Sequence, residues 1–182
     1  MSTALAPEEQ ARVLIDEQLS RAGWNVCDRS EIDLVNQLGN AVREVIMKPD
    51  HGRADYLLYV DKKVVGVIEA KSVGTPLTGV EWQSAMYAVG LPEAYRPQAV
   101  MKDGRLPFVF EASGSETHYT NGFDPAPRAR PIFNFPKPET LARIIRESVE
   151  HPEAPTWRGR IQKMPSYDHY DLRPASKVAV GA

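Results

Sequence analysis

The most restrictive feature of the chain lies between Ala54 and Lys71, where two β-rich runs are joined by the polar residues Asp61, Lys62 and Lys63. The second run, Val64-Val65-Gly66-Val67-Ile68, is apolar almost without a break and then changes abruptly to Glu69-Ala70-Lys71. A strand that is apolar on both faces has to be covered on both, so it belongs in the middle of a sheet. A short polar connection between two such runs makes an antiparallel hairpin the simplest pairing. The other segments have to be arranged around that hairpin.

Upstream, Pro7 suits a first helical turn, and Glu8 and Glu9 place negative charge at the positive end of the helix dipole. Ala11, Leu14, Ile15, Leu19 and Ala22 recur at helical spacing, and Gly23 is a natural stop. A short helix or turn is expected over Glu31 to Leu38, where Ile32, Val35 and Leu38 fall three apart. Val42 to Lys48 reads as a strand ended by Pro49, Asp50, His51 and Gly52. Downstream, a helix is expected from about Thr78 to Val89, with Thr78 and Glu81 in capping positions. Strands are expected at Leu106 to Glu111 and Thr117 to Thr120. The five prolines between Asp124 and Pro138 predict irregular chain, and Leu141, Ile144, Ile145 and Val149 predict a last helix. This order predicts an α/β (α+β) fold, a mixed central β-sheet flanked by helices.

A length of 182 residues suits one domain with a core of ordinary size. The formal net charge of −2 advertises no polyanion partner, so nucleic acid would have to be held by a local patch, a metal ion or other subunits. Cys27, alone, excludes an internal disulfide and a multi-cysteine zinc site. No apolar run approaches the roughly 20 residues of a membrane span, and no signal-peptide layout opens the chain. A soluble, reduced, cytoplasmic protein is expected.

The candidate chemistry sits on the hairpin. Glu69 and Lys71 are two apart and therefore share a face of their strand. Asp55 and Glu69 are equidistant from Lys62, the middle of the proposed turn, so the pairing returns Asp55 to the end that carries Glu69, provided no bulge intervenes. Two carboxylates and a lysine are costly to bury without a partner. Spacing alone leaves two readings: a structural ion pair, or a Mg²⁺ site. In the second, Asp55, Glu69 and the Ala70 backbone carbonyl supply oxygen ligands, and Lys71 orients a water or offsets charge on a phosphate.

Gly52-Arg53-Ala54-Asp55-Tyr56-Leu57-Leu58 followed by Val67-Ile68-Glu69-Ala70-Lys71 resembles the nuclease segment of type I restriction enzyme motor (R) subunits, members of the PD-(D/E)xK superfamily. Arg12 to Leu19 with Ala22-Gly23-Trp24 resembles the family's first helix, and Gln83-Ser84-Ala85-Met86-Tyr87 matches its Q-x-x-x-Y motif. Phe108 to Asn121, Phe133-Asn134-Phe135 and Pro138-Glu139-Thr140-Leu141 resemble the onward sequence, so the similarity spans roughly residues 9 to 145. The resemblance implies a restriction-endonuclease-like fold that cuts double-stranded DNA with Mg²⁺. It implies Asp55 and Glu69 as metal ligands, Lys71 as the catalytic lysine, and Gln83 and Tyr87 as accessory, DNA-orienting residues. In relatives a glutamate often stands two before the helix arginine; here Gln10 occupies that place, with Glu9 beside it as a candidate further acid.

Tyr170-Asp171-Leu172-Arg173-Pro174 resembles the lead-in to the family's helicase motor. Residues 1–150 are then expected to be the nuclease domain, and 151–182 a linker toward a motor absent from this sequence. No G-x-x-x-x-G-K-[ST] loop occurs, so ATP would enter only through that motor. The expected partners are DNA and the methyltransferase and specificity subunits of a restriction complex. The alternatives are a stand-alone nuclease of repair or defence, and a non-catalytic docking domain.

Overall fold

The structure, a computed structural model, describes residues 6–77 and 89–164. One mixed sheet has seven strands in chain order: β1 (Asn25–Cys27), β2 (Gly39–Ile46), β3 (Arg53–Val60), β4 (Lys63–Ala70), β5 (Phe108–Ala112), β6 (Thr117–Asn121) and β7 (Arg130–Ile132). β1–β2 and β4–β5 pair in parallel and the other neighbours antiparallel. The helix α1 (Pro7–Arg21) buries Ala11, Ile15 and Leu19 and gives way to Gly23 at φ 90°. The Trp24 indole N–H then donates to the Pro136 carbonyl at 3.0 Å, tying the helix end to the proline-rich segment.

On one sheet face, Ile15, Leu19 and Leu141 of α2 (Pro138–Glu150) meet Tyr56, Leu58, Ile68, Phe108 and Phe110. On the other, Leu57, Val64, Val67 and Val109 meet Leu91, Leu106 and Tyr95 of a 3₁₀ segment, Glu93–Gln98. Val64, Val65, Val67 and Ile68 are all fully buried, as a central strand covered on both faces requires.

Three segments show local chemistry settling what residue pattern alone leaves open. After a single 3₁₀ turn, Arg29–Glu31, residues 34–36 form a turn rather than a helix, because Asp33 Oδ1 accepts the backbone N–H groups of Val35 and Asn36. That leaves Val35 82% exposed, so no buried helical face exists there. Within the proline-rich stretch, Arg130–Ile132 is nevertheless a strand: it is the sheet edge, where a proline removes no needed donor. Past residue 150 the chain packs back. Ala154 and Thr156 are buried, and Arg160 of the short helix α3 (Trp157–Gln162) donates to Glu147 of α2 at 2.8 Å.

The hairpin differs from expectation in a way that matters for the site. Its turn is two residues, not three: Asp61 and Lys62, at φ 47° and 67°, between paired Val60 and Lys63. Left-handed conformation at both central residues matches the twist of the flanking strands. Tyr59 pairs with Val64, a register that, continued, would set Asp55 opposite Ile68. A bulge intervenes: Leu58 pairs with Gly66, Leu57 with Val67 and Tyr56 with Ile68, leaving Val65 as the extra residue. Continued one step, this register sets Asp55 opposite Glu69, and Asp55 Oδ2 accepts the backbone N–H of the next residue, Ala70. The face change is visible in the core, where Val64 and Val67 share one cluster and Val65 and Ile68 the other.

Beside the bulge, β5 approaches closely because Gly66 has no side chain. A Cβ there would lie 2.3 Å from the Phe108 carbonyl oxygen. Gly66→Ala is expected to destabilise the protein by about 1–3 kcal/mol or more, read as a lowered urea midpoint at unchanged m-value. An unchanged midpoint would contradict this packing.

Candidate active site

The site forms where the start of β3 lies beside the end of β4. Asp55 Oδ2 accepts the Ala70 backbone N–H at 2.8 Å, and Oδ1 accepts Arg12 Nη2 at 2.7 Å. In an extended strand a residue's N–H and C=O leave the same edge, so the Ala70 carbonyl is also directed toward β3. Glu69 is 6% exposed. Its Oε1 accepts Lys71 Nζ at 2.8 Å, as expected for two residues on one strand face. Its Oε2 is buried with no hydrogen-bond partner among the described residues.

The electrostatics follow from that burial. Desolvation pushes the Glu69 carboxyl above its ordinary pKa; Lys71, by hydrogen bond and charge, pulls it down, Asp55, by charge and by a hydrogen bond to the protonated form, pushes it up, and the net shift is upward. A buried carboxylate beside a second carboxylate, the two close enough to share a proton, suits a hard cation, which takes oxygen ligands and keeps waters for its remaining positions. Among the described residues no three His, Cys, Asp or Glu side chains are grouped as a ready cage. A cation here would therefore be held by two carboxylates, a carbonyl and water.

Sequence reasoning did not identify several neighbours. Arg12 enters only as part of the first-helix resemblance, yet it bridges Asp55 and Glu44, donating to Glu44 Oε1 at 2.9 Å. It is delivered there by an anchored helix. The Tyr56 hydroxyl donates to Asp16 Oδ1 at 2.7 Å, and Arg43 reaches Asp16 Oδ2 at 2.9 Å and Asp28 at 3.2 Å. Burial, reinforced by the Asp16 hydrogen bond, pushes the Tyr56 hydroxyl far up, so it stays a donor. The available signal was positional: Arg12 and Asp16 directly follow the buried positions Ala11 and Ile15, at the border of the packed face. Glu111 is another buried carboxylate, 1% exposed and paired with Glu69 in the parallel β4–β5 register. Glu9 is exposed, and none of the hydrogen bonds or ion pairs described for the site involves it. Gln83 and Tyr87, with the helix expected from Thr78, lie outside the described residues, as does the segment Tyr170 to Pro174.

No protein-family model and no curated protein sequence matches the chain. Among solved structures, a fragment assigned to an HsdR subunit of a type I restriction enzyme from Vibrio vulnificus YJ016 superposes with a TM-score of 0.53 at 21% identity, over 78% of this chain. The likeness is one of fold. Both share the mixed sheet with flanking helices of restriction-endonuclease-like proteins, as the sequence resemblance implied. The match covers 25% of the HsdR chain. No helix among the described residues is long and apolar enough to cross a membrane.

The Glu69 shift has a consequence for stability. Folded Glu69 holds its proton more readily than the unfolded chain does. The penalty for ionising it is absent below the ordinary carboxylate range and enters as pH rises through the raised pKa. In metal-free buffer, Glu69→Gln should therefore gain stability relative to wild type between about pH 4 and about pH 7. Chemical denaturation at both pH values measures this, and a pH-independent difference would contradict it.

Proposed function

We propose that this chain is the Mg²⁺-dependent, DNA-cleaving nuclease domain of a type I restriction enzyme motor subunit. The observation that carries the reading is the meeting of Asp55, Glu69 and Lys71 at one hairpin end, with Glu69 Oε2 buried and lacking a partner among the described residues. The fold shared with the HsdR fragment supports it. Asp55, Glu69 and the Ala70 carbonyl would hold the ion. Bound there, it supplies Lewis acidity toward a phosphodiester and lowers the pKa of a coordinated water.

The chain's own groups do the rest. Ala70 N–H fixes the Asp55 carboxylate across from Glu69. Lys71, held at Glu69 Oε1, orients the attacking water and offsets the charge that gathers on the phosphate. Arg105, Arg128 and Lys102 line a cavity of about 520 Å³ that reaches Glu111, the register neighbour of Glu69. These cations would contact the duplex backbone close to the cutting centre. Gln83 and Tyr87 are proposed as accessory residues and Glu9 as a further acid. Residues 1–150 are proposed as the nuclease unit and 151–182 as the connection to a motor. ATP hydrolysis, translocation and sequence choice would then belong to that motor and to methyltransferase and specificity subunits, in the cytoplasm.

In the assembled enzyme, Asp55→Asn or Lys71→Ala should lower Mg²⁺-dependent DNA cutting by at least about 10²-fold, with DNA-stimulated ATP hydrolysis unchanged. Linearisation of supercoiled plasmid measures the first and phosphate release the second. Cutting at the wild-type rate in both variants would overturn the assignment.

A further inference from the structure

Both Asp55 oxygens already accept a hydrogen bond, and one of the two donors is a full positive charge. One oxygen is committed to Ala70 N–H and the other to Arg12, whose second nitrogen bonds Glu44. A divalent cation on Asp55 would stand one carboxylate away from a guanidinium, and like charges at that range disfavour each other. The two arginines nearby are not equivalent. Arg43 is pinned by two hydrogen bonds to Asp16 and one to Asp28. Arg12 has a place to go. Its side chain is 42% exposed against 13% for Asp55, and it borders a cavity of about 290 Å³ lined also by Arg43, Asp28 and Glu44. Glu44 sits on β2 between the pairs Arg43–Tyr56 and Val45–Ala54, directly across from Asp55, and Arg53 holds its other oxygen at 3.3 Å. A guanidinium that releases Asp55 Oδ1 therefore keeps its bond to Glu44.

We propose that Arg12 is a displaceable counter-ion of the metal site: it holds Asp55 Oδ1 while no metal is bound, yields it to an entering divalent cation while staying on Glu44, and so sets the concentration at which the site fills. The inference rests on Asp55 being a metal ligand, as proposed above. It makes Arg12 a positioning residue. In the metal-free protein Arg12 suppresses repulsion between Asp55, Glu44 and Glu69, and its departure couples ion binding to the lie of α1 against β3.

The test uses Mn²⁺ as the probe, titrated calorimetrically into the whole protein without DNA, alongside thermal unfolding. Arg12→Gln should bind Mn²⁺ about three- to tenfold more tightly than wild type, the range set by removal of one partly exposed charge pair. It should unfold at lower temperature without metal and recover more on adding it. Arg12→Lys keeps the charge but loses the two-nitrogen fork that holds Asp55 and Glu44 at once, so it should tighten binding by less, and it decides the matter if Arg12→Gln does not fold. A purely structural tether predicts lost stability with unchanged or weaker Mn²⁺ binding in both variants, and that result would overturn the proposal. Asp55→Asn separates the two levels. Loss of binding in Asp55→Asn without tightening in the Arg12 variants sinks the counter-ion role alone. Binding that ignores Asp55→Asn sinks the metal site itself.

Discussion

Side chains on a strand alternate between faces, so one extra residue in one strand of a hairpin transfers everything beyond it to the opposite face. At Val65 this effect decides the site. The Asp61–Lys62 turn, followed without interruption, would align Asp55 with Ile68 and turn its carboxylate away from Glu69. The bulge restores the alignment within two residues of the turn, deep in the covered part of the sheet. Gly66 follows immediately, where β5 comes too close for any side chain. The geometry at the hairpin end is thus set by backbone features in its middle, held by core packing on both faces.

The electrostatic arrangement depends on that geometry. Register brings two carboxylates together at a sheet end, and burial makes their repulsion expensive. The protein offsets it unevenly. Asp55 receives a backbone N–H and a guanidinium, whereas Glu69 receives one lysine and keeps one buried oxygen without a described partner. Arg12 is brought to Asp55 because α1 is clamped to β2 and β3 through Asp16, Tyr56 and Arg43. The asymmetry leaves Glu69, beside Lys71, the less compensated of the two carboxylates.

Much of this was legible in the sequence, for physical reasons that differ by element. The β4 run announced itself because a strand covered on both faces needs apolar residues at every position, and α1 because its buried residues recur at helical spacing. Equidistance from Lys62 aligned Asp55 with Glu69 correctly, although the turn proved one residue shorter; the extra residue at Val65 compensated. That cancellation could not be read from the sequence, since valine is as suitable at a bulge as in a regular strand. The turns after Glu31 were ambiguous because Ile32, Val35 and Leu38 carry helical spacing without a surface to bury it, and the side chain of Asp33 takes the backbone donors instead. β7 escaped notice because an edge strand tolerates the prolines that mark irregular chain. Glu44 and Glu111 were invisible as site residues because only the register of β2 with β3 and of β4 with β5 brings them beside Asp55 and Glu69, and Arg12 because the packing of α1 on the sheet delivers it.

The central claim is that the register produced by the Val65 bulge makes Asp55 and Glu69 a single divalent-cation site. Anomalous diffraction from crystals soaked in Mn²⁺ tests it most directly. The account predicts a peak between the two carboxylates, about 2 Å from Asp55 and from Glu69 Oε2. A crystal in which Mn²⁺ binds elsewhere, while Glu69 Oε2 stays buried against protein alone, would contradict it.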